Sequence, residues 1–351
     1  MEPMNPNYEL NLEAGEVVEV RSDQEIFATL DENGRLDAMP FMSEMLQYCG
    51  KRFRVFKQAH KTCDNIKPWS MRRVKHAVHL TGVRCDGQAH GNCDAGCLIF
   101  WHEAWLKRSQ PEFLNESRLG DTNTPARQPQ ADVPLQSSGR ILATLQQAAR
   151  RGTDPASGEE IYSCQATDLR EFSSDLPWWD LRQYVRDIKS GNLRRGTGDS
   201  TPEKLLETLL SCLDLLRVLL IEVFNKMQEF RKGVRYPHIE GSLGTTPTVE
   251  LKLQPGEFVE VKSKDEILAT LDRRNRNRGL LFDSEMVRYC GGTFRVLKRV
   301  HQIVDEKTGK ILRMKSPCII LEGSACVSEY HRLCPRAIHH YWREGWLRRV
   351  D

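Results

Sequence analysis

The sequence predicts an α+β protein of several domains, in which two copies of a small β-barrel domain flank a helical middle domain. The first observation behind this class is an internal duplication, because residues 15–108 recur without a gap as residues 256–349. The second is a change of pattern along the chain, from short alternating runs with glycine turns inside each copy to helical periodicity between them. An ungapped duplication of this length predicts the same fold for both copies.

Short runs of alternating apolar and polar residues predict the strands of each copy. Val18-Glu19-Val20 and Phe53-Arg54-Val55 alternate in this way, and Gly34 and Gly50 suit turns between strands. Several short strands in a segment of about a hundred residues predict a small barrel. The order of a Gly-Glu pair, a short strand, a Cys-Gly pair and a second strand resembles SH3-like barrels in outline, and this resemblance implies a fold but no activity.

A tryptophan-rich tail closes each copy. In the first copy Trp101 and Trp105 stand four residues apart, a spacing that places both side chains on one face of a short C-terminal helix. With this tail included, the two predicted barrel domains span residues 1–109 and 248–351.

Each copy carries three cysteines and one histidine at short spacing, the ligand count of a closed tetrahedral zinc site. Three of the four ligands recur at one displacement of 241 residues, as Cys326 does against Cys85, whereas the fourth lies downstream in the first copy and upstream in the second. Inside a reducing compartment such clusters predict metal sites rather than disulfides. The predicted ligands are Cys85, His90, Cys93 and Cys97 in the first copy and Cys318, Cys326, His331 and Cys334 in the second.

Zinc, one ion in each copy, is the metal that this ligand set favours, and iron or an iron–sulfur centre is the alternative. The stretch Cys85-Asp86-Gly87-Gln88-Ala89-His90 resembles the Cys-Asp-Gly-Ser-His motif of one iron–sulfur family, which also uses three cysteines and one histidine. It departs from that motif by one extra residue before the histidine, and the Cys-x-Cys pair of the family is missing. Because the fourth cysteine of each copy closes the tetrahedron, the pattern favours a structural site over an open catalytic one.

The segment between the copies changes character twice. Residues 110–138 are rich in Pro, Gln, Asn, Ser and Thr, which predicts a flexible linker, and residues 139–240 predict a helical domain. Its longest helix, 202–232, is apolar over a wide face, and two interpretations stay open: packing against the rest of the chain, or a seam between two copies in a homodimer. The adjacent Trp178 and Trp179 predict that at least one tryptophan is exposed or contacts another domain.

Composition argues against several classes of protein. Of the 351 residues 39% are hydrophobic and 28% are charged, and no apolar run reaches the roughly eighteen residues that a membrane span needs. The first ten residues lack the pattern of a secretory signal, so we expect a cytoplasmic protein without membrane contact. A formal charge of +3 is close to balance, and the basic run 273–278 predicts a solvated loop, so nucleic-acid binding is not expected.

These features favour a non-catalytic scaffold or adaptor, in which structural zinc stabilises two small barrels that bind a protein or peptide partner. Two similar faces held at one separation would add avidity. One alternative is a metalloenzyme in which one copy keeps an exchangeable metal position, assisted by His79, His102 or His339. Another is a nucleic-acid-binding zinc protein.

Overall fold

The computed structural model describes residues 9–64, 66–109, 135–193 and 201–350. The chain forms two compact units. The first contains the first copy of the repeat and the middle segment as far as Asp214, together with Val304–Ile311, and the second contains the remainder of the second copy and Asp94–Gly96. The predicted linker lies outside the described residues up to position 134, and the residues that follow begin a helix.

The first copy is built from short strands joined by one α-helix and two 3-10 helices. The α-helix starts at a capping box, in which the Ser22 side chain accepts from the Glu25 backbone and the Glu25 side chain accepts from the Ser22 backbone. In chain order the elements are β1 Val17–Val20, α1 Asp23–Phe27, β2 Arg35–Leu36, β3 Met39–Pro40, a 3-10 helix Ser43–Tyr48, β4 Arg52–Gln58, β5 Lys61–Cys63, β6 Met71–Val74, β7 Ala77–Leu80, β8 Trp101–His102, a 3-10 helix Glu103–Trp105 and β9 Leu106–Arg108.

In the part that the structure describes, the middle segment contains three helices, and also three strands that the prediction of a helical domain did not include. Its elements are α2 Leu135–Ala148, β10 Arg150–Thr153, β11 Glu160–Tyr162, β12 Ser173–Leu176, α3 Arg182–Lys189 and α4 Thr201–Phe230. Strand β12 pairs antiparallel with β6, with Leu176 opposite Met71. The middle segment therefore extends a sheet that begins in the first copy, a long-range pairing that helical periodicity does not reveal.

The second copy contains the same elements in the same order. They are β13 Phe258–Val261, α5 Lys264–Leu268, β14 Arg276–Asn277, β15 Leu280–Leu281, a 3-10 helix Ser284–Tyr289, β16 Thr293–Arg299, β17 Gln302–Val304, β18 Ile311–Arg313, β19 Cys318–Ala325, β20 His339–Arg343, a 3-10 helix Glu344–Trp346 and β21 Leu347–Arg349. Helix α5 also starts at a capping box, formed by Ser263 and Glu266.

Each copy contains a five-stranded antiparallel half-barrel sheet. The strand order is β8-β7-β4-β1-β9 in the first copy and β20-β19-β16-β13-β21 in the second. Val18 lies opposite Phe53 in the first sheet, and the residues displaced by 241, Val259 and Phe294, lie opposite each other in the second. The two sheets therefore share both strand order and register.

The tryptophan-rich tail of each copy is not the predicted helix but a strand, a 3-10 turn and a second strand. In the first copy β8 and β9 lie at opposite edges of the sheet, and the turn between them closes the core. Trp101 and Trp105 are fully buried and contact Phe41 edge to face, with ring centroids 6.5 and 5.2 Å away. The spacing of four residues therefore brings both tryptophans into the core from a turn between the two edge strands, and not from one face of a helix.

A buried glutamate between the two tryptophans holds the segment that precedes the first strand. The Glu103 carboxylate accepts hydrogen bonds from the backbone N–H groups of residues 10–12 at 2.7–3.3 Å. In the second copy Glu344 accepts from residues 251–253 at 2.5–3.0 Å and also lies 2.6 Å from Arg299. Each half-barrel is thus closed by a carboxylate that pairs three backbone donors.

Helix α4 has nearly the predicted bounds, but most of the apolar residues described along it are exposed. Leu213, Leu216 and Leu220 are more than half exposed, whereas Ser211 and Asn225 are buried. Among the helices that the structure describes, none has the combination of length and apolar character that crossing a bilayer requires.

Candidate metal centre

The predicted ligands of the first copy lie in a loop closed by backbone hydrogen bonds. The Cys85 N–H donates to the Cys97 carbonyl at 2.9 Å, so the two ends of the loop are neighbours. Inside it, the N–H groups of His90 and Cys93 both donate to the Gly87 carbonyl, at 3.0 and 3.1 Å. Gly87 has a φ of +76°, and a Cβ there would lie 2.0 Å from the Cys93 carbonyl oxygen, so glycine is required at this turn.

A carboxylate that the sequence analysis did not propose completes this site. Ligand atoms of Glu44, Cys85 and His90 all lie within 4.8 Å of one another, the one such group of three or more found among the described residues. Glu44 comes from the 3-10 helix Ser43–Tyr48, and Glu44 and His90 are both buried. The repeated Ser-Glu-Met triplet, at 43–45 and 284–286, was the signal that could have identified Glu44.

The buried ring of His90 lies directly beside the Glu44 carboxylate. His90 Nδ1 lies 2.7 Å from Glu44 Oε1, yet neither ring nitrogen of His90 makes a hydrogen bond of acceptable direction. A ring N–H that does not point at the oxygen is not a hydrogen bond, however short the distance. Cys85 Sγ lies 3.8 Å from the same carboxylate oxygen. The Glu44 oxygen also accepts from the Ala89 N–H at 3.3 Å, so His90 is the member of this group whose ring nitrogens a bound cation would satisfy.

The electrostatics of this group of side chains disfavour a thiolate at Cys85. Burial, and then the negative charge of Glu44, raise the pKa of Cys85 well above its ordinary value. Burial alone would raise the pKa of Glu44, but the neighbouring His90 outweighs it and the pKa is lowered. Because metals bind the thiolate and not the thiol, a metal ion bound here would have to displace the Cys85 proton.

The two other predicted cysteine ligands of the first copy, Cys93 and Cys97, lie near this group, and a further cysteine joins them from the middle segment. Cys97 and Cys164 both interact electrostatically with Cys85, and Cys164 also interacts with Cys93. Burial raises the pKa of the Cys164 thiol to about 12. Cys93 Sγ accepts a hydrogen bond from the Val304 N–H at 3.3 Å. Cys164 was absent from the predicted set, since no pattern in the sequence links it to residues seventy positions upstream.

The second copy reproduces the loop and its carboxylate with looser geometry. The Cys326 N–H donates to the Ile338 carbonyl at 2.8 Å, and the Tyr330 N–H donates to Glu285, the counterpart of Glu44, at 2.7 Å. Burial and the charge of Glu285 raise the pKa of Cys326, which also interacts with Cys334. His331 Nε2 lies 3.7 Å from Asp283. Within the described residues this set does not reach the 4.8 Å spacing found in the first copy.

Cys318 is not brought to this second cluster. It is buried at the start of β19, where it lies opposite Arg343, whereas Cys326 follows the other end of that strand, where Ala325 lies opposite His339. Arg343 and His339 are four residues apart on β20, which is about 13 Å of extended chain. The seven residues between the two cysteines all belong to β19, so Cys318 and Cys326 lie at opposite ends of one strand.

The other sequence candidates lie outside the cluster. His79 is buried in β7 with Nδ1 2.8 Å from the Ile99 carbonyl oxygen, and His102 is buried with Nδ1 accepting from the Ala104 N–H at 3.1 Å. His339 lies half-buried in β20. None of the three contributes an atom to the group around Glu44. In the basic run 273–278 the four arginines are exposed, but the run is not wholly a loop, because Arg276–Asn277 forms β14 and Asn277 is buried.

The adjacent tryptophans precede α3 and are not equally covered. Trp179 is 66% exposed, and Trp178 is half-buried. Leu181 and Val185, on the next two turns, are also more than half exposed. These three exposed side chains, which we call the α3 patch, form an apolar surface on the first unit.

A comparison of the chain with protein-family models, with curated proteins and with solved structures found no match in any of the three.

Proposed function

We propose that this chain is a non-catalytic scaffold, in which one zinc ion in each copy stabilises a small SH3-like barrel and the α3 patch binds a protein or peptide partner. The observation that carries the proposal is the buried group of Glu44, Cys85 and His90. Three such ligand atoms cluster in a protein interior at a high desolvation cost unless a cation or protons compensate them.

Zinc suits this group better than the other common ions. Thiolate and imidazole are ligands that zinc prefers, carboxylate oxygen is also accepted, and calcium and magnesium are bound by oxygen alone. Cys97 and Cys164 lie near enough to interact electrostatically with Cys85, and Cys93 with Cys164, so the first site has candidates for a fourth ligand. In the second copy the proposed ligands are Cys326, His331 and Cys334, with Glu285 in place of Cys318.

A structural role for the metal follows from the burial of the cluster. Small domains with a limited core gain folding free energy from a metal that binds only the folded chain. The ligands are also held by the backbone bonds from His90 and Cys93 to Gly87, which makes the loop and the site one unit. A bound metal would therefore fasten the loop between β7 and β8 to the 3-10 helix that carries Glu44.

One observation favours a second candidate, a metalloenzyme. A shallow cavity reaches His90 and is lined by polar groups of Asn33, Arg35 and Ser163 beside the apolar Leu145. A cavity at a metal ligand is where a substrate or a metal-bound water would lie in a catalytic site. Cobalt spectra separate the two functions, because a closed structural site keeps its spectrum when small ligands such as azide are added.

Metal counting tests the scaffold proposal. We expect purified full-length chain to contain two zinc ions, and Cys85→Ser and Cys326→Ser to contain one each. Cys318→Ala is the matched control, because its thiol is buried but remote from the second cluster, and it should keep both ions. Two results would contradict the proposed sites: a wild-type chain that binds no zinc when zinc is added, or a Cys85→Ser chain that still contains two ions.

A further inference from the structure

Helix α4 turns its polar side inward and its apolar side outward. Ser211, Glu222 and Asn225 are buried, together with the small Val218. The Asn225 side chain donates to the Tyr236 carbonyl at 3.0 Å and accepts from the Tyr236 N–H at 2.7 Å. Both bonds involve the backbone, so the inward face is set by hydrogen bonds that a rotation of the helix would break.

The outward face follows a strict heptad pattern. Leu209, Leu213, Leu216, Leu220, Val223 and Met227 are separated alternately by four and three residues, and each is between 42% and 61% exposed. We call these six residues the α4 seam. Phe230, three residues further on, continues the pattern and is 90% exposed. A repeat that averages 3.5 residues is the signature of a coiled-coil interface, since helical packing on a globular core follows a period near 3.6.

An exposed apolar face of this kind is unusual on a protein that is monomeric in solution. Monomeric proteins rarely expose a contiguous apolar patch of more than a few hundred Å². A large apolar side chain offers on the order of 100 Å² of apolar area, so the half-exposed seam with its neighbours Leu210 and Phe224 presents on the order of 500 Å². Two copies would bury about 1,000 Å² together, the area at which a specific interface begins.

The charges beside the seam favour a second copy of the same chain. Arg217 flanks the seam and pairs with Glu329, and Lys226 flanks it and pairs with Glu229 at 2.8 Å. Each of these cations is therefore compensated within its own chain, so two copies can approach without unpaired like charges at these positions. A heptad seam also complements itself, because its leucines alternate as knobs and holes on both helices.

We propose that the α4 seam pairs two copies of this chain into a homodimer through a short coiled coil. The proposal goes beyond the scaffold function and does not depend on it. A dimer carries two α3 patches, so a partner with two binding segments would bind with avidity even where each contact is weak.

The test is the mass of the full-length chain in solution, measured by sedimentation equilibrium from about 1 to 100 µM. We expect a dimer, and we expect Leu213→Glu combined with Leu220→Glu to raise the dissociation constant by about 100-fold or more. Glutamate forms helix nearly as well as leucine, so unchanged helical circular dichroism would show that α4 remains folded. Leu312→Glu is the matched control, because Leu312 and Leu213 are both 53% exposed, and it should leave the dimer intact.

Three outcomes overturn the proposal. A wild-type chain that is monomeric at 100 µM excludes a stable pair. A dimer that survives both seam charges places the interface elsewhere. A monomer that sediments with phosphatidylcholine vesicles through α4 assigns the seam to a lipid surface. The metal content of the same samples is read separately, so a failed dimer with two bound ions leaves the scaffold function standing.

Discussion

The glutamate that closes each half-barrel allows a quantitative prediction, because the two copies differ at one neighbour. Glu103 and Glu344 each accept three backbone hydrogen bonds, but only Glu344 also pairs with a cation, Arg299. The residue that corresponds to Arg299 in the first copy is Gln58. We therefore expect Glu344→Gln to cost more stability than Glu103→Gln.

The magnitude follows from the bonds that change. A hydrogen bond to a charged group contributes about 1.5–3 kcal/mol and a neutral one about 0.5–1.5 kcal/mol, so losing the charge costs about 1 kcal/mol for each bond, or about 3 kcal/mol at Glu103. At Glu344 the substitution also leaves Arg299 without its carboxylate. The Arg299 side chain is 20% exposed, so we discount the usual cost of a broken buried pair to about 1–2 kcal/mol.

Hydrogen exchange of the full-length chain measures both effects at the amides concerned. In Glu103→Gln the protection of residues 10–12 should fall about 100-fold, and in Glu344→Gln the protection of residues 251–253 should fall about 1,000-fold or more, since each 1.4 kcal/mol is tenfold. Adding Arg299→Gln to Glu344→Gln should recover about 1–2 kcal/mol, because it removes the unpaired cation. Equal losses in the two copies, or no recovery in the double variant, would refute this reasoning.

Two further predictions concern a buried histidine and the exposed tryptophan. Burial lowers the pKa of His102 to about 4, and its Nδ1 already accepts from the Ala104 N–H, so the unfolded chain binds the extra proton more readily. The free energy of unfolding of the first unit should therefore be highest above pH 6.5 and fall by about 3 kcal/mol as the pH drops to 4. Urea titrations of His102→Asn, which keeps an acceptor, should lack this pH dependence. A pH dependence that persists in the variant would belong to another group. For the α3 patch, peptides selected on the wild-type chain should bind Trp179→Ala at least about tenfold more weakly by calorimetry. Trp69, a tryptophan outside the patch that is also exposed, gives the control Trp69→Ala, which should bind normally; equal affinities of the two variants would place the partner elsewhere.

Much of the fold could be read from local pattern. Both capping boxes are visible in the sequence as Ser-x-x-Glu, and the alternating runs at 18–20 and 53–55 do lie in paired strands. The tail failed as a helix because the spacing of Trp101 and Trp105 is compatible with two arrangements. The pairing of β8 with β7 and of β9 with β1, at the two edges of the sheet, decides between these two arrangements.

In the candidate site, too, some residues could be predicted from the sequence and others are brought there only by the fold. The repeat identified Cys85 and His90, because two cysteines and a histidine that recur in register are rarely inert. Glu44 is brought to them across forty residues by the packing of a 3-10 helix, and Cys164 by the middle segment. Cys318, in contrast, lies away from the second cluster, because β19 is extended and separates it from Cys326.

The sequence by itself determined the duplication, the shared strand order that follows from it, the cysteine and histidine loop, and the existence and length of α4. Tertiary structure alone decided which carboxylate meets the loop, which cysteine is left out, and which face of α4 is exposed. The physical reason is how far apart along the chain the interacting residues lie. Turns, caps and alternation depend on residues a few positions apart, whereas ligand distances and buried faces depend on how distant segments pack; at α4, for example, Asn225 faces inward because its side chain pairs with the backbone of Tyr236.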